Sequence, residues 1–279
     1  MEKPPLRRKQ LFKWTINILR EYGIRPRKKY SQSFVVDPAV VYDFLNNIDP
    51  RIEFIEIGCG IGTLSYYIAE NAHARGVLID IDKRLIKITA ELVSEHKHII
   101  VLLANALDLD WSFKQVISNT PYHITSDILV KIARSNAVER AVLVLQRDVV
   151  ERLVATPGTR NYGRLTILMK TLFDLKPGRV YPPSAFYPTP EVYSQMVVLV
   201  RRRRYDELIR ILEEITRRVF TMRNRKAISV ITRLLGINEN EAERIGIKPY
   251  QRIYELDPGV LLRLAEYVKN IGLELSAEK

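Results

Sequence analysis

From residue 53 to 146 the chain repeats one rhythm: a short apolar run, a sharp turn, then an amphipathic stretch. The runs "EFIEI", "RGVLID", "HIIVLLA", "FKQVIS" and "ERAVLVLQ" are dominated by Ile, Leu and Val, as strands buried on both faces are. Between them, "GTLSYYIAENA", "KRLIKITAELVSEH" and "TSDILVKIARS" place apolar residues at helical spacing. Strands of this kind, separated by helices, require a parallel sheet covered on both sides. An α/β, Rossmann-like domain is the predicted outcome.

Outside that stretch the pattern is simpler. "LFKWTINILREYG" predicts a helix ending near Gly23. "RLTILMKTLF" predicts another, and "DLKPGRVY" and "SQMVVLVR" predict strands on either side of the proline-rich "PPSAFYPTPEV". Beyond the arginine run at 201–204 only helices are expected. The predicted boundary therefore lies near residue 203. A first domain spans 1–203, with a basic segment at 1–30, and a smaller all-helical domain spans 204–279.

The net charge of +12 is concentrated rather than spread. Residues 1–30 hold ten Lys/Arg against two acids, and residues 201–233 hold eleven against four. Two basic clusters flanking a mildly acidic middle suit a polyanionic partner, although a solvated surface has the same composition. No apolar run reaches the ~18 residues of a membrane helix, and the opening "MEKPPLRRKQ" is unlike a secretory signal. A single cysteine, Cys59, rules out an intrachain disulfide, so a cytoplasmic monomer away from membranes is the expected form.

The segment "EIGCGIGTL" follows the first strand and opens the first helix. Gly58 and Gly60 let backbone approach a ligand, and Gly62 allows tight strand-to-helix packing. A dinucleotide loop would need a third glycine at position 63, which is Thr63. Glu56, two residues before the loop, would repel a pyrophosphate. A cationic ligand without phosphate fits better, and S-adenosylmethionine is such a ligand. Asp80 closes the next strand at the spacing of a ribose acceptor, whereas Asp82 reads as a helix N-cap. Asn105 ends the third strand, where it serves either an adenine edge or a turn. No metal-ligand pattern accompanies these residues.

"SNTPY" falls at the carboxyl end of the fourth strand, the edge at which open parallel sheets bind ligands. Asn and Pro also make ordinary turns. The alternative is chemical. An amide-like amine is a poor nucleophile, and two acceptors on its hydrogens localise its lone pair. The Asn119 side chain offers one acceptor and the Thr120 carbonyl the other, with Pro121 holding Thr120 extended. Tyr122 supplies a face for a flat ring.

With these motifs in order, the chain resembles the KsgA-type small-subunit rRNA adenine dimethyltransferases, relatives of the erythromycin-resistance rRNA methyltransferases. "SQSFVVDPAVV", "EIGCGIGTL", "LIDIDKRL", "ANAL", "SNTPYHITSDIL" and "PPSAFYPTPEVYS" resemble successive family motifs, and "FTMRNRKAI" and "IGIKPYQRIYELDP" resemble its C-terminal helical domain. The resemblance implies dimethylation of adenosine amines in small-subunit rRNA, with S-adenosylmethionine as cofactor and a role in subunit biogenesis. It implies cofactor contacts at Ser33, Val35, Gly58, Asp80, Asn105 and Asn119, and a target base held between Tyr122 and Phe186. Ser33, Cys59, Asn105 and Thr120 depart from the family's usual Asn, Pro, Asp and Leu. Two rivals share parts of this pattern: an inactive RNA-binding assembly factor, and an amino-methyltransferase acting on DNA or a protein amide. The first needs none of Asn119, Pro121, Tyr122 and Phe186, and the second leaves the C-terminal match unexplained.

Overall fold

The N-terminal helix shows how local sequence sets the architecture. In the computed structural model, which describes residues 1–273, α1 spans Arg8–Glu21. It stops at Gly23, whose positive φ of 60° is where glycine costs least. Gly23 N–H donates to the Arg20 carbonyl and Ile24 N–H to the Leu19 carbonyl, closing the last turn. Leu19 and Ile24 are then buried together with Leu11, Trp14 and Ile18.

The alternating region follows the predicted order. After β1 (Phe34–Val35) and α2 (Pro38–Asn47) come β2 (Phe54–Ile57), α3 (Thr63–Asn71), β3 (Gly76–Asp80) and α4 (Lys83–Leu92). Next are β4 (Ile99–Leu103), β5 (Gln115–Asn119), α5 (Thr125–Arg134) and β6 (Arg140–Gln146). The chain continues through α6 (Arg147–Val154), α7 (Arg164–Leu172), β7 (Phe173–Tyr181), β8 (Phe186–Tyr187) and β9 (Ser194–Arg201). It ends with α8 (Glu207–Val219), α9 (Ala227–Leu235), α10 (Glu239–Ile245) and α11 (Pro258–Asn270).

One seven-stranded sheet runs β4-β3-β2-β5-β6-β9-β7. The β4-β3, β3-β2, β2-β5 and β5-β6 pairs are parallel, and β9 joins antiparallel to β6 with Gln146 opposite Ser194. The order reverses direction at β2 and β5. Both carboxyl ends, carrying the glycine loop and Asn119, therefore open at the switch point where such sheets bind ligands. β1 and β8, which carry no periodicity of their own, form a separate antiparallel ribbon.

The chain divides into two compact units, residues 1–150 with 176–200 and residues 151–175 with 201–279. Helical structure does follow the arginine run, as expected, but the boundary falls at 200/201 rather than near 203. Residues 151–175, expected in the first domain, belong to the second unit. Their apolar face explains this: within that unit α7 packs against α8 and α11, and the Tyr162 hydroxyl donates to the Leu256 carbonyl at 2.7 Å. Residues 274–279, the end of the expected helical domain, lie outside the described residues. Among the described residues no helix is long and apolar enough to cross a membrane.

Candidate active site

The β1–β8 ribbon brings together two distant segments of the first unit. Val35 pairs with Phe186 and Phe34 with Tyr187, while the Val36 N–H donates to the Ala185 carbonyl at 2.9 Å. Ser33 therefore sits beside the segment bearing Phe186, and its hydroxyl donates to the Pro188 carbonyl at 2.9 Å.

A cavity of about 260 Å³ opens at this junction. Its wall includes Ser33, Gly58, Gly60, Asp80, Asn105, Asn119, Pro121, Tyr122 and Phe186. Of the expected site residues only Val35 lies elsewhere; it is buried and lines a smaller hollow of about 30 Å³, together with Glu56 and Cys59. Both spaces share Ser33, Gly58, Gly60 and Asn119.

The glycine loop turns through positive φ at Gly58 (73°), Gly60 (60°) and Gly62 (82°), which side chains rarely adopt. A Cβ at Gly58 would lie 3.4 Å from Pro121 Cγ, so the loop is seated directly on the Asn119–Pro121 turn. Gly62 has a different neighbour from the expected strand: its Cβ would meet Leu92 Cδ2 at 2.9 Å, so it permits packing of helix α3 on α4. Cys59 is buried, and burial pushes its thiol well above the ordinary range, which leaves it a packing residue.

Asp80 holds the loop in place. One carboxylate oxygen accepts from the Gly60 N–H at 3.0 Å and the other from the Asp82 N–H at 2.9 Å. Burial raises its pKa, and these two donors act against that rise. Each oxygen keeps a further lone pair for a ligand hydroxyl. Asp82 is the expected N-cap, accepting from the Arg84 N–H at 3.1 Å. Its carboxylate also takes Gln32 Nε2 at 3.0 Å. Gln32, which sequence reasoning passed over, thereby ties the 27–33 loop to the end of β3.

Asn105 shows the turn role: its Oδ1 accepts from the Leu107 N–H and its Nδ2 donates to Asp108. Its Oδ1 keeps one further lone pair. Asn119 is more constrained. Its Nδ2 donates to the Ser33 carbonyl at 3.1 Å, which makes Oδ1 the accepting end of the amide. Thr120 is tied by its N–H to the Val144 carbonyl, and Pro121 is extended with ψ of 128°. The Tyr122 hydroxyl, expected to be incidental, sits 2.9 Å from Ser194 Oγ, and burial raises its pKa. That contact fixes the ring against β9. Phe186 is buried with its ring edge-to-face against Tyr181. Tyr30 and His123, also missed, line the same cavity with ring centroids 6.5 Å apart.

Glu56 behaves differently from its sequence-based role. Burial pushes its carboxyl up to about 8, so at neutral pH the free protein carries little of the repulsive charge expected there. Its Oε2 is buried with no hydrogen-bond partner among the described residues.

Comparison with known proteins now decides the family. Residues 23–270 match the model of the ribosomal RNA adenine dimethylase family. The chain belongs to that family. A "Probable ribosomal RNA small subunit methyltransferase A" of Pyrobaculum islandicum is 33% identical over 232 residues, covering 82% of this chain and 94% of the relative. The ribosomal RNA small subunit methyltransferase A of Streptococcus equi subsp. zooepidemicus is 30% identical over 282 residues, covering 92% and 96%. Among solved structures, a dimethyladenosine transferase from Plasmodium falciparum superposes with a TM-score of 0.74 at 22% identity, over 87% of this chain and 100% of that one. The 23S rRNA methyltransferase ErmE gives 0.68 at 24%, over 85% and 99%. These two share the fold. As an adenine dimethylase family member, the chain is a methyltransferase of the Rossmann-like kind.

Proposed function

We propose that this dimethylase transfers methyl groups from S-adenosylmethionine to the exocyclic amine of adenosines in small-subunit rRNA, in the cytoplasm and during subunit assembly. One observation carries the reading. Asn119 donates its Nδ2 to the Ser33 carbonyl, which leaves its Oδ1 as an acceptor, in a cavity whose wall includes both Asp80 and the Tyr122 and Phe186 rings.

The residues present fit the cofactor. Glu56 Oε2 is a buried acceptor without a partner, which an ammonium group would satisfy. Asp80 has lone pairs for ribose hydroxyls, and Gly58 and Gly60 leave room for backbone approach. When bound, S-adenosylmethionine supplies an electrophilic methyl group on a sulfonium. The protein's own work is on the adenine. Tyr122 and Phe186 hold the ring. Asn119 Oδ1 and the Thr120 carbonyl accept the two amine hydrogens and turn the nitrogen lone pair toward the methyl carbon. Once the nitrogen is methylated it releases its proton to water, so no strong base is needed. Helices of the second unit and the basic N-terminal segment hold the RNA.

The inactive assembly-factor reading requires none of this arrangement. Single-turnover methylation of small-subunit rRNA at saturating labelled cofactor separates the two. Asn119→Ala is expected to lose activity at least ~100-fold, the scale of one lost positioned hydrogen-bond partner, while still binding RNA. Tyr122→Phe should lose less than Tyr122→Ala, although the Ser194 contact gives it a measurable cost. Asn119→Gly, which suits a turn equally well, would overturn the proposal by methylating at the parent rate.

A further inference from the structure

Helix α1 precedes the 23–270 stretch that the family model matches. Its apolar face is consumed within the first unit, where Leu11, Trp14, Ile18 and Leu19 are buried with Ile61, Leu85, Ile88 and Leu92. The helix is therefore fixed in place. Its outward face carries Lys9, Lys13 and Arg20, all exposed. Their spacing of four and seven residues puts them along one side, over about 16 Å. None of the three side chains pairs with a carboxylate among the described residues, whereas other exposed cations such as Arg51, Arg75 and Lys114 do.

The edge of this face, where Phe12 lies between the cations and the buried stripe, leads to the target-base site. Phe12 is 44% exposed. Its ring stands edge-to-face on Tyr187 at 5.8 Å. Tyr187 is the chain neighbour of Phe186, which lines the cavity. Arg8 anchors the helix start to this segment, donating to the Ser184 hydroxyl at 3.0 Å and pairing with Asp37 at 3.5 Å.

We infer that the outward face of α1 is a docking strip for the unpaired RNA strand that flanks the target adenosine. Lys9, Lys13 and Arg20 contact its phosphates, and Phe12 offers its exposed ring to a base. This rests on the rRNA-methylating reading above. An anionic membrane would also attract the cations, but the apolar face needed for insertion is already buried.

The test uses the full chain carrying Lys9→Gln, Lys13→Gln and Arg20→Gln together, with Phe12→Ala as a second variant. Both alter exposed side chains, and circular dichroism checks the fold. The triple variant should raise the KM for small-subunit rRNA several-fold while leaving kcat unchanged. The slope of log affinity against log salt should fall by about 2, close to 0.7 for each lost single-strand phosphate contact. Phe12→Ala should raise KM without changing the salt slope. Ultraviolet crosslinking followed by mass spectrometry should place RNA on α1 peptides of the parent. If the triple variant keeps the parent's KM and salt slope, or α1 peptides stay uncrosslinked, the strip is wrong while the methylation reading stands. A parent unable to methylate rRNA would sink the reading itself and the strip with it. Preferential loss of binding to anionic phospholipid vesicles, with RNA affinity unchanged, would overturn the RNA assignment.

Discussion

Glu56 is a carboxyl held in the interior of the first unit. In the unfolded chain its carboxyl titrates near its ordinary 4.5, and in the folded protein burial raises this to about 8. The folded state therefore holds a proton between these values that the unfolded state has lost. The sign follows from linkage: this group favours folding at low pH, and that contribution disappears as pH rises through 8. The loss amounts to roughly 3–5 kcal/mol if the whole interval is crossed. Glu56→Gln keeps the shape and removes the ionisation. Urea denaturation at pH 5 and pH 8.5 should show the parent losing stability across the interval and the variant losing much less. Equal losses would mean that the buried carboxyl is not what titrates. The variant should also bind S-adenosylmethionine more weakly, because an amide offers an ammonium less than a carboxylate does.

At the scale of elements, the junction of α3 and α4 depends on one missing methyl group. Gly62 has φ of 82° and faces Leu92 and Thr89 at distances a Cβ cannot share without displacing them. Gly62→Ala should cost about 1–3 kcal/mol through overpacking and backbone strain. Chemical denaturation reads that cost, and a change under 0.5 kcal/mol, on the scale of ordinary surface substitutions, would show the junction to be slack. The sheet and its helices were legible because the strands from β2 to β6 are built on short apolar runs and α3, α4 and α5 each have their own stripe. Asp82 as a cap was legible for the same local reason. The β1–β8 ribbon was not: two residues define no period, and their partners lie about 150 positions apart. Gln32 and the Ser33 carbonyl gained their roles only through that ribbon and the loop beside it, so no local pattern announced them. Asn105 could be placed at the cavity, yet the turn that occupies its amide depends on Asp108 and was one of two readings left open.

For the whole molecule, the division into units changes what a truncation can test. Cutting after residue 203 follows the charge and helix pattern of the sequence, but it leaves behind residues 151–175, which fold with the second unit. Ile167, Leu168 and Leu172 of α7 are buried there, and the packing of α7 against α8 and α11 would be lost. Exposing several such side chains costs about 1.5–3 kcal/mol each, enough to matter against the 5–15 kcal/mol that stabilises a typical domain. The 1–203 fragment should therefore bind a hydrophobic dye and melt well below the full chain, so its failure to bind RNA would say nothing about charge. Removing charge alone avoids this. Arg225, Lys226 and Arg233 line an open hollow in the second unit, and none of them forms a salt bridge among the described residues. Converting all three to Gln in the full chain should leave the melting temperature near the parent's. RNA affinity should fall, with the salt slope reduced by about 2, if these cations each meet one phosphate. An unchanged slope in a folded triple variant would remove this cluster from the RNA interface and leave the +7 of residues 201–233 as surface solvation.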